Sequence, residues 1–205
     1  VFTKFRGKYV AIEGVIGVGK TTLVRYLSQE YALPPVLEVV EENPFLSKFY
    51  EDMERWAFQT QLFFLVSRFD QQEKLKKTLQ MGMGAVSDYI FDKDRLFASL
   101  TLKGEHLGLY ERIFGLLKSH TPTPDLVVYL YADIDVLMER IALRDRPFER
   151  SMDRGYISNL AEAYESFFGN YACAPVLKID TTEMDFVRNH SDLKKIYSLI
   201  EERLP

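Results

Sequence analysis

Apolar and polar positions along the chain fall into two alternating regimes. Short runs of adjacent apolar residues read as buried strands, and longer stretches with apolar residues three or four apart read as helices. Tyr9-Val10-Ala11-Ile12-Glu13 is the first short run and stops at Gly14. Residues 20–30 set Leu23, Tyr26 and Leu27 at helical spacing, predicting a helix that starts inside a glycine loop. Pro34-Pro35 breaks the pattern, and Val36 to Val40 predicts a second strand. From residue 44 to 80 the pattern is helical but long for one helix. It predicts a short helix near 45–50 and a long one over 54–79, with Phe58, Leu62, Leu65, Val66 and Phe69 along the latter and Gly82 and Gly84 ending it. A third strand follows at 85–88, then helices at 95–102 and 105–118. Residues 125–131 give the clearest strand, followed by a helix at 134–142 and a charged loop at 144–154. A helix at 156–168, with Leu160, Tyr164 and Phe167 on one face, a fifth strand at 175–179 and a helix at 191–203 complete the chain. Strands separated by helices predict an α/β fold with a five-stranded parallel sheet flanked by helices. No break marks a second domain, so residues 1–205 are expected to form one.

Composition narrows the picture. A chain of 205 residues, 47% hydrophobic and 27% charged, fits a folded globule with a substantial core. A formal net charge of -4 gives no electrostatic argument for nucleic acid. No apolar run approaches the roughly 20 residues of a membrane-spanning helix, and Val1 to Arg6 is too short and polar for a secretory signal. Cys173 is the only cysteine, which excludes an intramolecular disulfide. The expected setting is the reducing cytoplasm, with no membrane or nucleic-acid partner.

The glycine loop carries the chemistry. Gly14-Val15-Ile16-Gly17-Val18-Gly19-Lys20-Thr21 matches G-x-x-x-x-G-K-[ST], with a strand before it and a helix after it; Thr22 continues the helix. Such a P-loop turns successive backbone N–H groups onto phosphate oxygens, and its lysine reaches the β- and γ-phosphates. ATP and Mg²⁺ are the expected cofactors, with Thr21 and Asp88, at the end of strand three, as metal residues. A guanine-reading N-K-x-D segment is missing, so a switch GTPase is excluded. Short length, acids after strand two (Glu38, Glu41, Glu42) and arginines at 140, 144, 146, 150 and 154 favour a small-molecule kinase. One acid would take the acceptor's proton, and Arg144 and Arg146 would serve as lid cations on the phosphates. The three histidines are scattered and read as surface residues, and no Cys/His cluster offers a zinc site.

The chain resembles the deoxynucleoside kinase family, especially its bacterial purine members, over nearly its whole length. The resemblance rests on Ile12 to Thr22, Val40-Glu41-Glu42-Asn43-Pro44-Phe45-Leu46, Phe49-Tyr50-Glu51-Asp52, Trp56 to Phe64 and Arg144-Asp145-Arg146. It implies a P-loop NTPase fold with a lid, and phosphorylation of the 5′-hydroxyl of a deoxynucleoside, with a purine as the expected base. By position it makes Glu38 the catalytic base, with Glu41 as runner-up. It makes Gln61 a base reader and pairs Arg68 with Asp94 for base selection. Tyr50 and Glu149 would hold the sugar 3′-hydroxyl. It also implies a twofold homodimer through the helices of region 105–118. One departure stands out: many members carry an arginine after the strand-three acid, where this chain has Tyr89. Either Arg144 or Arg146 covers that arginine's role, or Tyr89 rebuilds the corner. A thymidylate-kinase-like nucleoside monophosphate kinase and a non-catalytic nucleotide binder are the alternatives.

Overall fold

A computed structural model describes residues 4–39, 42–150 and 152–205. In chain order the elements are β1 (Tyr9–Gly14), α1 (Lys20–Tyr31), β2 (Pro35–Val36), α2 (Leu46–Glu51), α3 (Met53–Gln80), β3 (Ala85–Ser87), α4 (Lys93–Thr101), α5 (Gly104–Lys118), β4 (Leu126–Tyr131), α6 (Ile134–Arg144), α7 (Arg154–Asn170), β5 (Val176–Asp180) and α8 (His190–Arg203). A 3₁₀ turn, Pro147–Glu149, sits between α6 and α7. The chain divides into two compact units.

The first unit, Val1–Leu37, Thr78–Ile90 and Thr123–Pro205, holds the sheet. Strand order is β2-β3-β1-β4-β5, and every pair is parallel. The two runs richest in adjacent apolar residues, β1 and β4, lie side by side, with Ile12 opposite Val128. All of β1 and nearly all of β4 are buried, as expected of parallel strands covered on both faces. α1 buries Leu23, Val24, Leu27 and Tyr31. α7 buries Ile157, Leu160, Tyr164 and Phe168, so Phe168 rather than the expected Phe167 completes its inner face. The second strand is shorter than its β-branched run suggests. β3 has three residues, and the last rung it gives is Asp88 N–H to Val36 C=O at 3.1 Å. The strand ends at Val36, and Glu38 lies beyond it rather than on it.

The second unit, Glu38–Lys77 and Phe91–Pro122, is helical. The short-helix and long-helix division around residue 52 is present as expected, with α3 unbroken for 28 residues. Its buried face differs from the expected stripe. It carries Ala57, Thr60, Gln61, Leu65, Arg68, Gln72 and Leu75, while Val66 is 53% exposed. Counting apolar residues misplaces this face because four of its seven members are polar. Asn43 fastens the loop before α2. Its Oδ1 accepts from Phe45 N–H at 3.0 Å and its amide donates to Thr60 C=O at 3.2 Å. Phe91, Phe69 and Phe114 pack in a row, with Phe91 stacked on Phe114 at 5.4 Å. No helix among the described residues is long and apolar enough to cross a membrane.

Candidate active site

The first unit carries the glycine loop. The loop from Gly14 to Thr21 joins the buried centre of the sheet to the start of α1. Gly14 has φ 147°, and a Cβ there would lie 2.2 Å from the Leu130 carbonyl oxygen. Gly19 has φ 104° at the helix cap, with no side chain capping the first amides. Side chains are thus excluded from the positions where backbone must turn its N–H groups outward. Lys20 folds back on the loop, donating to Gly14 C=O at 2.7 Å and Val15 C=O at 3.2 Å.

Thr21 donates its hydroxyl to Asp88 Oδ2 at 2.7 Å. Asp88 is 3% exposed and comes directly after β3. A hydroxyl and a carboxylate in contact supply hard oxygen donors, the chemistry Mg²⁺ takes from protein while substrate phosphates and waters complete its octahedron. Among the described residues no group of three His, Cys, Asp or Glu side chains is placed to hold a metal.

Sequence reasoning missed Glu13, reading it as a strand residue. It is fully buried. Its Oε2 accepts from Gly14 N–H at 2.9 Å and from the Tyr164 hydroxyl at 3.0 Å, and its Oε1 accepts from Ile90 N–H at 2.9 Å. One carboxylate therefore ties the loop's first residue to α7 and to the segment after β3. A charged residue ending a strand of otherwise apolar residues was the available signal.

The arginine segment resolves into separate roles. Arg144 donates to both Glu149 oxygens, twice at 2.6 Å and once at 3.1 Å; Arg146 approaches the same carboxylate at 3.8 Å. Glu149 is 5% exposed, on the 3₁₀ turn. The two predicted lid cations and the predicted sugar-binding acid thus share one cluster. Arg140 is a strut: it bonds Thr181 and the Met184 carbonyl at 2.8–3.1 Å. Arg150 and Arg154 pair with Asp145 and Asp135 on the surface.

The second unit gathers Glu38, Arg68, Lys93 and Asp94. Arg68 donates through Nε to Glu38 Oε1 at 3.0 Å, and a second guanidinium nitrogen makes a close contact to the same oxygen. Its third nitrogen pairs with Asp94. Lys93 donates to Glu38 Oε2 at 2.8 Å. Asp94 is fully buried, and the Arg68 and Lys93 side chains are almost so. Burial would push the Glu38 carboxyl up, but the charges of Arg68 and then Lys93, with their hydrogen bonds, outweigh it and hold the group well below the usual carboxylate range. The expected approach of Arg68 to Asp94 is present. The contacts of Glu38 with Arg68 and Lys93 were not anticipated, because no periodicity links position 38 to positions 68 and 93. Gln61 is buried about two turns before Arg68; it donates to the Thr101 hydroxyl at 3.3 Å, and its Oε1 is buried without a hydrogen-bond partner. The Gln72 amide and the Tyr110 hydroxyl are likewise buried and unpartnered. Such groups suit a polar heterocycle or ordered water. Tyr50, on α2, is half-buried beside Phe49. Glu41 lies outside the described residues, and Glu42 is exposed.

Tyr89 is also among the described residues. Tyr89 is fully buried, and its carbonyl accepts from the Ser87 hydroxyl at 2.7 Å, so it belongs to the core. The cation beside Glu38 after β3 is Lys93.

Comparisons with known proteins give the family and the fold. A family model described as "Deoxynucleoside kinase" matches residues 10–205. A deoxyguanosine kinase of Bacillus subtilis is 38% identical over 199 residues, covering 95% of this chain and 96% of that protein. A deoxyadenosine/deoxycytidine kinase of the same organism is 30% identical, over 95% and 92% of the two chains. Among solved structures, deoxyadenosine kinase from M. mycoides with bound dATP superposes with a TM-score of 0.81 at 23% identity, over 93% of this chain and 97% of that one. That likeness carries the P-loop fold, and the sequence matches carry the relationship: the chain belongs to the deoxynucleoside kinase family.

Proposed function

We propose that the protein transfers the γ-phosphoryl group of ATP to the 5′-hydroxyl of a purine deoxynucleoside, releasing ADP and the 5′-monophosphate. The observation that carries this reading is the buried contact of Glu38 with Arg68 and of Arg68 with Asp94. Three segments far apart in sequence meet in one polar cluster, and Gln61, about two turns earlier on α3, has a buried amide oxygen without a hydrogen-bond partner. Two relatives whose names specify deoxyguanosine and deoxyadenosine/deoxycytidine support the substrate class.

In this reading the loop amides hold the donor phosphates, and Lys20 exchanges its loop carbonyls for the β- and γ-phosphate oxygens. Thr21 and Asp88 would hold Mg²⁺, which neutralises developing charge on those oxygens. Glu38 orients the 5′-hydroxyl and accepts its proton. A strongly held carboxylate suffices because the transition state for phosphoryl transfer is loose and the proton leaves late. Arg144 and Arg146 release Glu149 to the sugar 3′-hydroxyl, which Tyr50 also contacts, and turn to the phosphates. Gln61 and the Arg68–Asp94 pair read the base edge, where an amide supplies donor and acceptor together. A nucleoside monophosphate kinase would need cations for the acceptor's phosphate. Arg68 and Lys93 are instead engaged by Glu38 and Asp94, so that alternative is not favoured. The proposal extends to one kinase domain made of both units, working as a cytoplasmic homodimer. Exposed Leu109 and Leu116 on α5 support the dimer.

Screening the four deoxynucleosides with ATP and Mg²⁺ tests the substrate class. Purine deoxynucleosides should turn over fastest and thymidine slowest. Turnover with nucleoside monophosphates but not with nucleosides would overturn the proposal.

A further inference from the structure

Lys93 stands in the first turn of α4, with its side chain 4% exposed. Both facts count against a cation there. A helix N-terminus carries positive potential, and a lysine is almost never buried unpaired. Glu38 Oε2, at 2.8 Å, answers both costs. Arg68 meanwhile holds Oε1 and also reaches Asp94. The cluster of Glu38, Arg68, Lys93 and Asp94 is therefore neutral overall. Without Lys93 two carboxylates would compete for one guanidinium. Among the described residues, Tyr110 on α5 also feels the charge of Arg68, and its burial keeps it a neutral phenol.

We propose that Lys93 is a positioning residue for phosphoryl transfer: its ammonium fixes the second oxygen of Glu38, so that the carboxylate meets the acceptor hydroxyl in one orientation while Arg68 stays on Asp94. The inference rests on the kinase reading above. It assigns to one lysine two consequences that a packing role would not produce. The first is protonation. Turnover needs ionised Glu38, and both cations lower its pKa. Removing one raises that pKa, so the acid limb of the pH profile must move to higher pH. The second is dependence on Glu38. A residue acting through a carboxylate has nothing to act on once that carboxylate is an amide.

The test uses the whole enzyme with ATP and its best deoxynucleoside acceptor, comparing wild type, Lys93→Met, Lys93→Arg, Glu38→Gln and the double variant Lys93→Met/Glu38→Gln. Lys93→Met should lower kcat by about 10- to 100-fold, the cost of a misplaced reacting group, with a smaller change in KM. Its acid limb in kcat/KM should shift upward, and Lys93→Arg should restore both toward wild type. In the Glu38→Gln background, Lys93→Met should cost nothing further. The double variant also keeps the cluster neutral, through Arg68 and Asp94, so the comparison with Glu38→Gln stands even if Lys93→Met alone folds poorly. An unchanged kcat and acid limb in Lys93→Met, or the same fold-loss with and without Glu38, would overturn the inference. Wild type with no acceptor-dependent turnover would instead refute the kinase reading.

Discussion

At the scale of single residues, the candidate site is a set of charges engaged with neighbouring polar groups, and in the proposed function substrates replace some of those partners. Lys20 rests on its own loop's carbonyls, so Lys20→Ala removes little that holds the fold. It removes the one loop side chain able to place a cation on the β- and γ-phosphates. We expect an intact circular dichroism spectrum and a kcat lower by about 100-fold or more in steady-state assays. Arg68 and Asp94 behave differently, because each leaves a buried partner stranded when it is removed. The single variants Arg68→Met and Asp94→Asn should each lose activity and stability. The double variant should lose less than the sum and gain relative activity on thymidine. Strictly additive losses with an unchanged order of the four deoxynucleosides would show that the pair does not read the base. Of this set, the glycine loop, Lys20, Thr21 and Asp88 were legible because their spacing is itself a physical requirement. Lys93 was not, because nothing about a lysine in the sequence Phe91-Asp92-Lys93-Asp94 distinguishes a buried clamp from a solvated helix start.

At the scale of elements, β1 and the loop after it depend on Glu13. Its three accepted hydrogen bonds bind the start of the loop to α7 and to the segment following β3. Glu13→Gln keeps the volume but turns an amide donor toward an N–H or O–H donor. We expect a loss of about 2–3 kcal/mol, read as a lower Tm, for stranding buried hydrogen-bonding groups. The segment between α6 and α7 makes a second prediction. If Glu149 exchanges Arg144 for the sugar 3′-hydroxyl, wild type should prefer 2′-deoxynucleosides over their 2′,3′-dideoxy counterparts. Glu149→Gln and Tyr50→Phe should each narrow that preference, measured as the ratio of kcat/KM values. Element existence and order were legible from periodicity throughout. The differences have local causes: β2 ends at Val36, opposite Ser87, the last residue of the short β3, and the inner face of α3 is hidden from hydrophobic counting because Gln61, Arg68 and Gln72 lie on it.

At the scale of the whole molecule, the sheet order β2-β3-β1-β4-β5 puts the glycine loop after the central strand, where open parallel sheets bind ligands beyond their carboxyl ends. The helix α5 lies in the region expected to form the dimer contact. Tyr110 and Phe114 are buried within the second unit, and Leu109 and Leu116 are the exposed pair. Light scattering at micromolar concentration should show a dimer, and Leu109→Asp with Leu116→Asp should convert it to a monomer; a monomeric wild type would count against that assembly. The fold class and the place of the glycine loop between β1 and α1 were readable in advance, since both follow from strand–loop–helix order. The joining of residues 38, 68, 93 and 94 was not, since it depends on how three segments pack in the second unit. The account's central claim is transfer to the 5′-hydroxyl, and one comparison isolates it. ADP release is followed with deoxyguanosine or deoxyadenosine, then with the matching 2′,5′-dideoxynucleoside, which lacks only the acceptor oxygen. Release matched mole for mole by 5′-monophosphate with the first, and only background release with the second, is the result the account predicts; equal ADP release with both would contradict it.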